Sequence, residues 1–425
     1  MLDLKLIREN PELVKQGIKN KNEKDRVDEI LSLDEERRNL IRQTDELKHR
    51  QKEASFKIPQ MKKAGQNVSS LLSEMKSLSD QVSKLDSKLK NTEEELNNIL
   101  MYIPNLPHES VPVGKTAEDN VEVRRWTPEG FSFETNKDLP DHIELGKKFD
   151  ILDFERGAKI SGSGFPLYKG KGATLERALI NFMLDCHLRD HGYTEIMPPF
   201  LVNRDSMKGT GQLPKMEEDM YFIEKDDLFP IPTAEVPITN IFRSEIIDES
   251  EMPVKYVGYS ACFRREAGSY GKESKGFLRV HQFNKVEMVK LVKPGSSYDE
   301  LEKLVKDAED ILQALKIPYR ILMLCTGDLS FSAAKCYDIE TWSPAEQKWL
   351  EASSCSNFEN FQARRANIRF RNSETKKPEF LHTLNGSGLA TSRLMVSILE
   401  INQTADGKIL VPEVLQKYTG FDSIK

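Results

Sequence analysis

Apolar positions in the first quarter of this chain recur at alternating steps of three and four. Ile30, Leu33, Arg37, Leu40, Thr44, Leu47, Gln51, Ala54, Ile58 and Met61 form one series, and Met75, Leu78, Val82, Leu85, Leu89, Thr92, Leu96 and Ile99 a second. Such spacing keeps one stripe of each helix apolar and is the seam of a coiled coil. Between the series, Lys63-Ala64-Gly65-Gln66-Asn67 carries the residues an antiparallel turn needs. The pattern predicts a helical hairpin over about 27–100, each arm of about 30–35 residues spanning about 45–50 Å. Arg37, Thr44 and Gln51 weaken the first seam, and Pro59 is expected to kink or fray it near the tip. Ahead of the hairpin, Leu2, Leu4, Ile7 and Leu13 among charges predict a short helical lead-in to about residue 26. Residues 1–101 therefore read as one helical arm.

The pattern then changes. Residues 102–120, YIPNLPHESVPVGKTAEDN, are rich in proline and turn formers and read as a linker. Beyond it, 121–425 mixes strands and helices without an internal repeat. Candidate strands are 256–265, 286–292, 318–325, 335–342 and 348–354, in irregular order with no βαβ alternation. The fold class expected is α+β, an antiparallel sheet flanked by helices, with the coiled-coil hairpin at the N-terminus.

Charge alters the picture of the arm. The 425-residue chain carries a net −6, so any contact with nucleic acid needs a local patch. Such a patch exists: between Leu47 and Lys90 there are ten Lys or Arg against four Asp or Glu. A basic rod on an acidic protein suits a phosphate backbone, although heptads with a charged face also serve as plain spacers or dimerisation rods. The five cysteines are odd in number, scattered and without a CxxC pair, indicating neither a disulfide framework nor a zinc ribbon. The charged start MLDLKLIREN has no apolar signal core, and no run approaches 18 apolar residues. A reduced, cytoplasmic protein without a membrane span is expected.

Phosphate chemistry, if present, must use side chains. No G-x-x-x-x-G-K-[ST] occurs; Gly268-Ser269-Tyr270-Gly271-Lys272 has the wrong spacing, and Gly386-Ser387-Gly388 lacks a dinucleotide fingerprint's third glycine. Three segments offer alternatives. Residues 259–288 read as strand, polar loop and strand, with Arg264 at the end of an apolar run, where an arginine wants an anion or a structural partner such as Glu266. Residues 381–401 place a strand ending in Asn385-Gly386-Ser387-Gly388 before an apolar helix with Arg393 near its start, favourable to an anion or simply a surface arginine. Residues 349–371 set Glu351 and Ser354 one short turn apart, oxygen donors acceptable to magnesium or two solvent-facing polar groups.

Together these segments resemble motifs 2 and 3 of class II aminoacyl-tRNA synthetases. Ile231-Pro232-Thr233-Ala234-Glu235-Val236-Pro237 is similar to the serine-binding loop of the bacterial-type seryl-tRNA synthetases, and the likeness extends through Thr210-Gly211-Gln212-Leu213-Pro214-Lys215 to the N-terminal arm. The resemblance implies serine activation by ATP to seryl-adenylate and pyrophosphate, then transfer to the 3′ end of serine tRNA and of selenocysteine tRNA. It implies that Arg264 binds the α-phosphate and the activated carboxylate, with Arg265 and Glu266 completing that contact. Phe283 would face the adenine, Arg393 the γ-phosphate, and Ala352 and Ser353 would join the ATP site. Glu351 and Ser354 would hold Mg²⁺; Thr233, Ala234, Glu235, Glu287 and Ser387 would line the serine pocket. Arg264, Glu351 and Arg393 would act in catalysis by positioning and charge neutralisation, with no side-chain nucleophile and His281 structural.

The resemblance also implies a homodimer, through Gly192–Pro199, which is similar to motif 1, and tRNA contacts along the arm for which Lys48, Arg50, Lys52, Lys84 and Lys88 are candidates. A relative that loads a carrier protein would lack the basic hairpin. An inert tRNA-binding homologue would have lost Arg264, Glu287, Glu351 or Arg393. A zinc-dependent seryl enzyme needs a Cys/Glu/Cys-like set, where Thr233-Ala234-Glu235 reads as the zinc-free version.

Overall fold

The computed structural model describes residues 1–134, 139–266 and 275–425, so the Gly268–Lys272 stretch lies outside the described residues. Backbone proximity divides the chain into two units: Met1–Lys19 with Glu23–Pro104, and Asn20–Asn22 with Asn105–Lys425.

In the first unit, α1 (Leu4–Glu9) and α2 (Pro11–Asn20) lead into α3 (Val27–Lys63) and α4 (Ser69–Leu100). Every seam position of the two predicted series is buried or half-buried. Leu13 is not: it is 58% exposed, and Val14 and Ile18 turn inward instead. Gly65, at φ +72°, turns the chain between the long helices, and the Asn67 side chain accepts from the Ser69 N–H at the second start. Helix α3 runs on through Pro59 to Lys63 rather than fraying there. The carbonyl deprived of its donor belongs to exposed Ser55, where water can serve it. Arg37 does not simply weaken the seam either, because its guanidinium reaches Glu93 across the hairpin at 3.0 Å.

The stretch expected as a linker is hydrogen-bonded into the second unit over most of its length. Asn105 donates its amide to the carbonyls of Ser332 and Phe358, at 3.0 and 2.8 Å. Further on, the Pro112 and Gly114 carbonyls accept from the N–H groups of Thr326 and Gly327.

The second unit is built on an eight-stranded sheet. In chain order its strands are β1 (Val121–Trp126), β2 (Thr194–Glu195), β3 (Val254–Phe263), β4 (Gln282–Val292), β5 (Tyr319–Met323), β6 (Lys335–Ser343), β7 (Lys348–Asn357) and β8 (His382–Ala390). Their spatial order is β1-β5-β6-β7-β8-β4-β3-β2, antiparallel except where β2 joins β3. The five predicted strands are all present. β1 escaped prediction because it is short, its first five residues are exposed, and its apolar alternation stops after Val123. One face of the sheet packs against α5 (Gly170–Arg189), α6 (Ser297–Ala314) and α7 (Thr391–Ile401). Leu179, Leu304, Ile311, Met395 and Ile398 meet Val286, Met288, Ile339 and Cys355 in this core. The opposite face of the central strands is left to the site.

Candidate active site

Strand periodicity selects what that face presents. On β4, Val286 and Met288 point into the core, so Phe283, Lys285 and Glu287 point the other way. Glu287 stands between Ser387 of β8 on one side and Gly258 of β3 on the other. Gly258 leaves room there; a Cβ would lie 2.6 Å from the Ile196 carbonyl oxygen.

A cavity of about 780 Å³ opens over this face. Among the residues named from sequence, Thr233, Glu235, Arg264, Glu266, Phe283, Glu351, Ala352, Ser354, Ser387 and Arg393 all line it. The fold thus unites segments up to 160 residues apart.

Glu351 and Ser354 owe their common orientation to an irregularity. In a regular strand, residues three apart face opposite sides. A bulge between Glu351 and Ser353 inserts one residue into β7 against β6, restoring both oxygens to the cavity face. The short turn expected between them is therefore a bulged strand. The same shift turns Ser353 inward, against the sequence-based expectation: its hydroxyl donates to the Ser387 carbonyl at 2.6 Å and its side chain is buried. Ala234 is likewise fully buried behind the wall. Arg265 stands exposed outside the lining, its N–H bonded to the Asp219 carbonyl.

The two cavity arginines differ. Arg393, in the first turn of α7, donates to the Glu351 carbonyl at 2.8 Å and to its carboxylate at 3.1 Å. Arg264 follows β3, is exposed, and lies over the Phe283 ring at 5.2 Å; it has no carboxylate partner among the described residues. Glu266 pairs with Arg279 at 2.6 Å, not with Arg264. His281, expected to be structural, meets the Arg264 carbonyl through its Nδ1 at 2.9 Å and stacks its ring on Phe165.

Thr233 is the centre of a buried network. Its hydroxyl donates to Glu287 at 2.8 Å and accepts from Lys285 Nζ at 2.9 Å and the Glu235 N–H at 3.1 Å. Lys285 also forms an ion pair with Glu287, and Asn385 donates to the other Glu287 oxygen at 3.3 Å. Glu287 is wholly buried, one layer behind the wall formed by Thr233 and Lys285. Burial, and then the negative charge of Glu287, push the Glu235 carboxyl up to about 7. Burial raises Asp338 well above the carboxylate range, with Glu351 adding to the effect.

Sequence reasoning missed Lys285, Asn385, Gln362 and Asp338. Lys285 was legible in principle, two residues before Glu287 on one strand face. The others are recruited from strands and a helix whose pairing the sequence does not announce. Among the described residues no group of three or more His, Cys, Asp or Glu side chains could hold a metal, and no helix is long and apolar enough to cross a membrane.

Along the arm, Lys48 pairs with Asp86, Arg50 with Glu74 and Lys88 with Glu36, all across the hairpin and half-exposed. Lys52 and Lys84 are exposed and make no ion pair among the described residues.

Two family models match this chain: the seryl-tRNA synthetase N-terminal domain over residues 1–107, and the core domain of class II tRNA synthetases (G, H, P, S and T) over residues 219–402. A serine–tRNA ligase of Pelodictyon phaeoclathratiforme is 57% identical over 428 residues, covering 100% of this chain and 99% of the relative. The chain belongs to the seryl-tRNA synthetase family. A second seryl-tRNA synthetase relative, from Chloroherpeton thalassium, is 58% identical with both chains fully covered. The seryl-tRNA synthetase of Pyrococcus horikoshii, solved with ATP, superposes with a TM-score of 0.93 at 40% identity, covering 100% of this chain and 99% of that one. As a seryl-tRNA synthetase, this chain catalyses ATP-dependent ligation of serine to tRNA.

Proposed function

We propose that the cavity beneath Arg264 and Arg393 is where serine and ATP meet, with the residues in the following roles. Arg264 takes the α-phosphate and the serine carboxylate, Phe283 offers a face to the adenine, and Arg393 reaches the γ-phosphate. Thr233, Glu235, Glu287 and Ser387 hold serine, with Lys285 and Asn385 fixing Glu287. The observation carrying this reading is the shared wall: an arginine without a carboxylate partner among the described residues, beside a buried hydroxyl, ammonium and carboxylate network. In-line attack of the serine carboxylate on the α-phosphorus needs alignment and neutralised charge, which Arg264 and Arg393 supply.

Glu351 and Ser354 fit Mg²⁺ as hard oxygen donors on one face, Glu351 half-exposed with room for the ion's remaining phosphate and water ligands. When bound, the ion would neutralise phosphate charge. Zinc has no part in this reading. Serine is told from alanine by the acceptor that alanine leaves unpaired, a discrimination of about 10⁴ or more.

On the arm, Lys52 and Lys84 are the cations most available to phosphates, while Lys48, Arg50 and Lys88 would exchange weak ion pairs for them. The acceptors are serine tRNA and, where the host has it, selenocysteine tRNA. A cytoplasmic homodimer completes the reading, joined through the segment 192–199; Met197 there is 86% exposed beside the short edge strand β2.

ATP–pyrophosphate exchange with each of the twenty amino acids tests the pocket. Exchange with serine alone is expected; exchange with another amino acid would overturn the assignment of the serine residues while leaving the phosphate chemistry.

A further inference from the structure

Glu235 faces a difficulty that the neighbouring cations Lys285 and Arg264 only partly offset. It is a buried carboxylate facing Glu287 and Lys285 from β4 and Arg264 from the end of β3. Its own backbone N–H is used on Thr233. Among the described residues, the one neutral side chain bonded to its carboxylate is Gln362, on the short helix Phe361–Ala366, which donates Nε2–H to Glu235 Oε1 at 2.6 Å.

The orientation of that amide is fixed. The second Nε2–H goes to the Thr210 carbonyl at 3.1 Å, and Oε1 accepts from the Thr383 hydroxyl at 2.7 Å. A flipped amide would set oxygen against both a carboxylate and a carbonyl. Gln362 is 1% exposed and Thr383 is fully buried, so water does not substitute for either. Every hydrogen-bonding position of this amide but one acceptor lone pair is used, and it ties three segments together: the 210–212 wall, the Thr233–Glu235 loop and β8.

We propose that Gln362 is a positioning residue for serine: with Thr383 behind it, it holds the Glu235 carboxylate ionised and aimed at a donor group of the substrate. The proposal rests on Glu235 belonging to the serine site. Gln362 does not touch substrate itself. It acts by keeping one carboxylate oxygen occupied, leaving the other for serine, and by opposing the repulsion from Glu287.

Pyrophosphate exchange on the full-length protein tests this. Gln362→Met keeps the volume and removes all three hydrogen bonds. Its serine KM should rise about tenfold or more, while its ATP KM stays within about twofold. The acid limb of kcat/KM for serine should also move up by about one pH unit, since the neutral donor favouring the ionised carboxylate is gone. General loosening would raise both KM values and leave the limb in place, which would overturn the proposal. Thr383→Val removes only the hydroxyl orienting the amide and should give the same pattern at about threefold; it decides the matter if Gln362→Met does not fold. Glu235→Gln separates the two readings. If its serine KM matches the parent, the placing of Glu235 in the serine site fails and the role of Gln362 with it. If its KM rises while Gln362→Met and Thr383→Val match the parent, only the role of Gln362 fails.

Discussion

At the residue scale the proposed serine pocket is a set of buried charges held in mutual compensation, and that makes its behaviour under mutation and pH specific. Glu287 is wholly buried and bonded to Thr233, Lys285 and Asn385. Glu287→Ala should leave a folded protein with serine-dependent pyrophosphate exchange reduced by about 10³-fold or more; exchange at the parent rate would refute its role. Glu235 behaves differently, because its carboxyl is raised to about 7 from an ordinary 4.5. Its charged form is disfavoured in the folded state, so the stability cost is complete above about pH 7 and vanishes as pH falls through about 4.5. Glu235→Gln should therefore stabilise the protein at pH 8 more than at pH 5, read as the difference in Tm from the parent at each pH. Equal differences would contradict the burial argument. Thr233, Glu235 and Arg264, which line one cavity, were picked out because they sit in contiguous segments that resemble family motifs. Gln362 was not: it lies 127 residues from Glu235 in a segment read for its neighbours Glu351 and Ser354.

At the scale of elements, the two long helices were legible residue by residue, because burial in a coiled coil follows the heptad step directly. What the step could not reveal is Asp34, one residue past the seam position Leu33 and almost wholly buried. It meets Arg38 at 3.1 Å, Arg8 at 3.3 Å and Arg37 at 3.8 Å, joining α1 to α3 through charge rather than apolar contact. Asp34→Ala should cost the arm about 1–3 kcal/mol, seen as faster hydrogen exchange in α1 and the first turns of α3, with exchange in the sheet unaltered. Uniform exchange rates in the variant would mean that the partly exposed arginines hold α1 without it. Strands were legible where they are buried on both faces, as β4 is, and invisible where they lie exposed at an edge, as β1 does.

At the scale of the molecule, the proposed tRNA-binding role of the basic distal arm makes two activities separable. Deleting residues 35–95 should spare serine-dependent pyrophosphate exchange and abolish aminoacylation; loss of both would show that the arm is required for folding. Aminoacylation by the intact protein should weaken as salt rises from 50 to 200 mM, through KM for tRNA, while pyrophosphate exchange changes little. The bulge in β7 bears on how such a protein can change. Removing Ala352 would let β7 and β6 pair without interruption, and the sheet would be the more regular for it. Yet Glu351 and Ser354 would then look to opposite sides, one into the core. If Glu351 and Ser354 hold Mg²⁺ as proposed, selection for a sturdier scaffold and selection for catalysis pull against each other at this single position, and a stabilised descendant that tidies this strand would be the one that stops making seryl-tRNA.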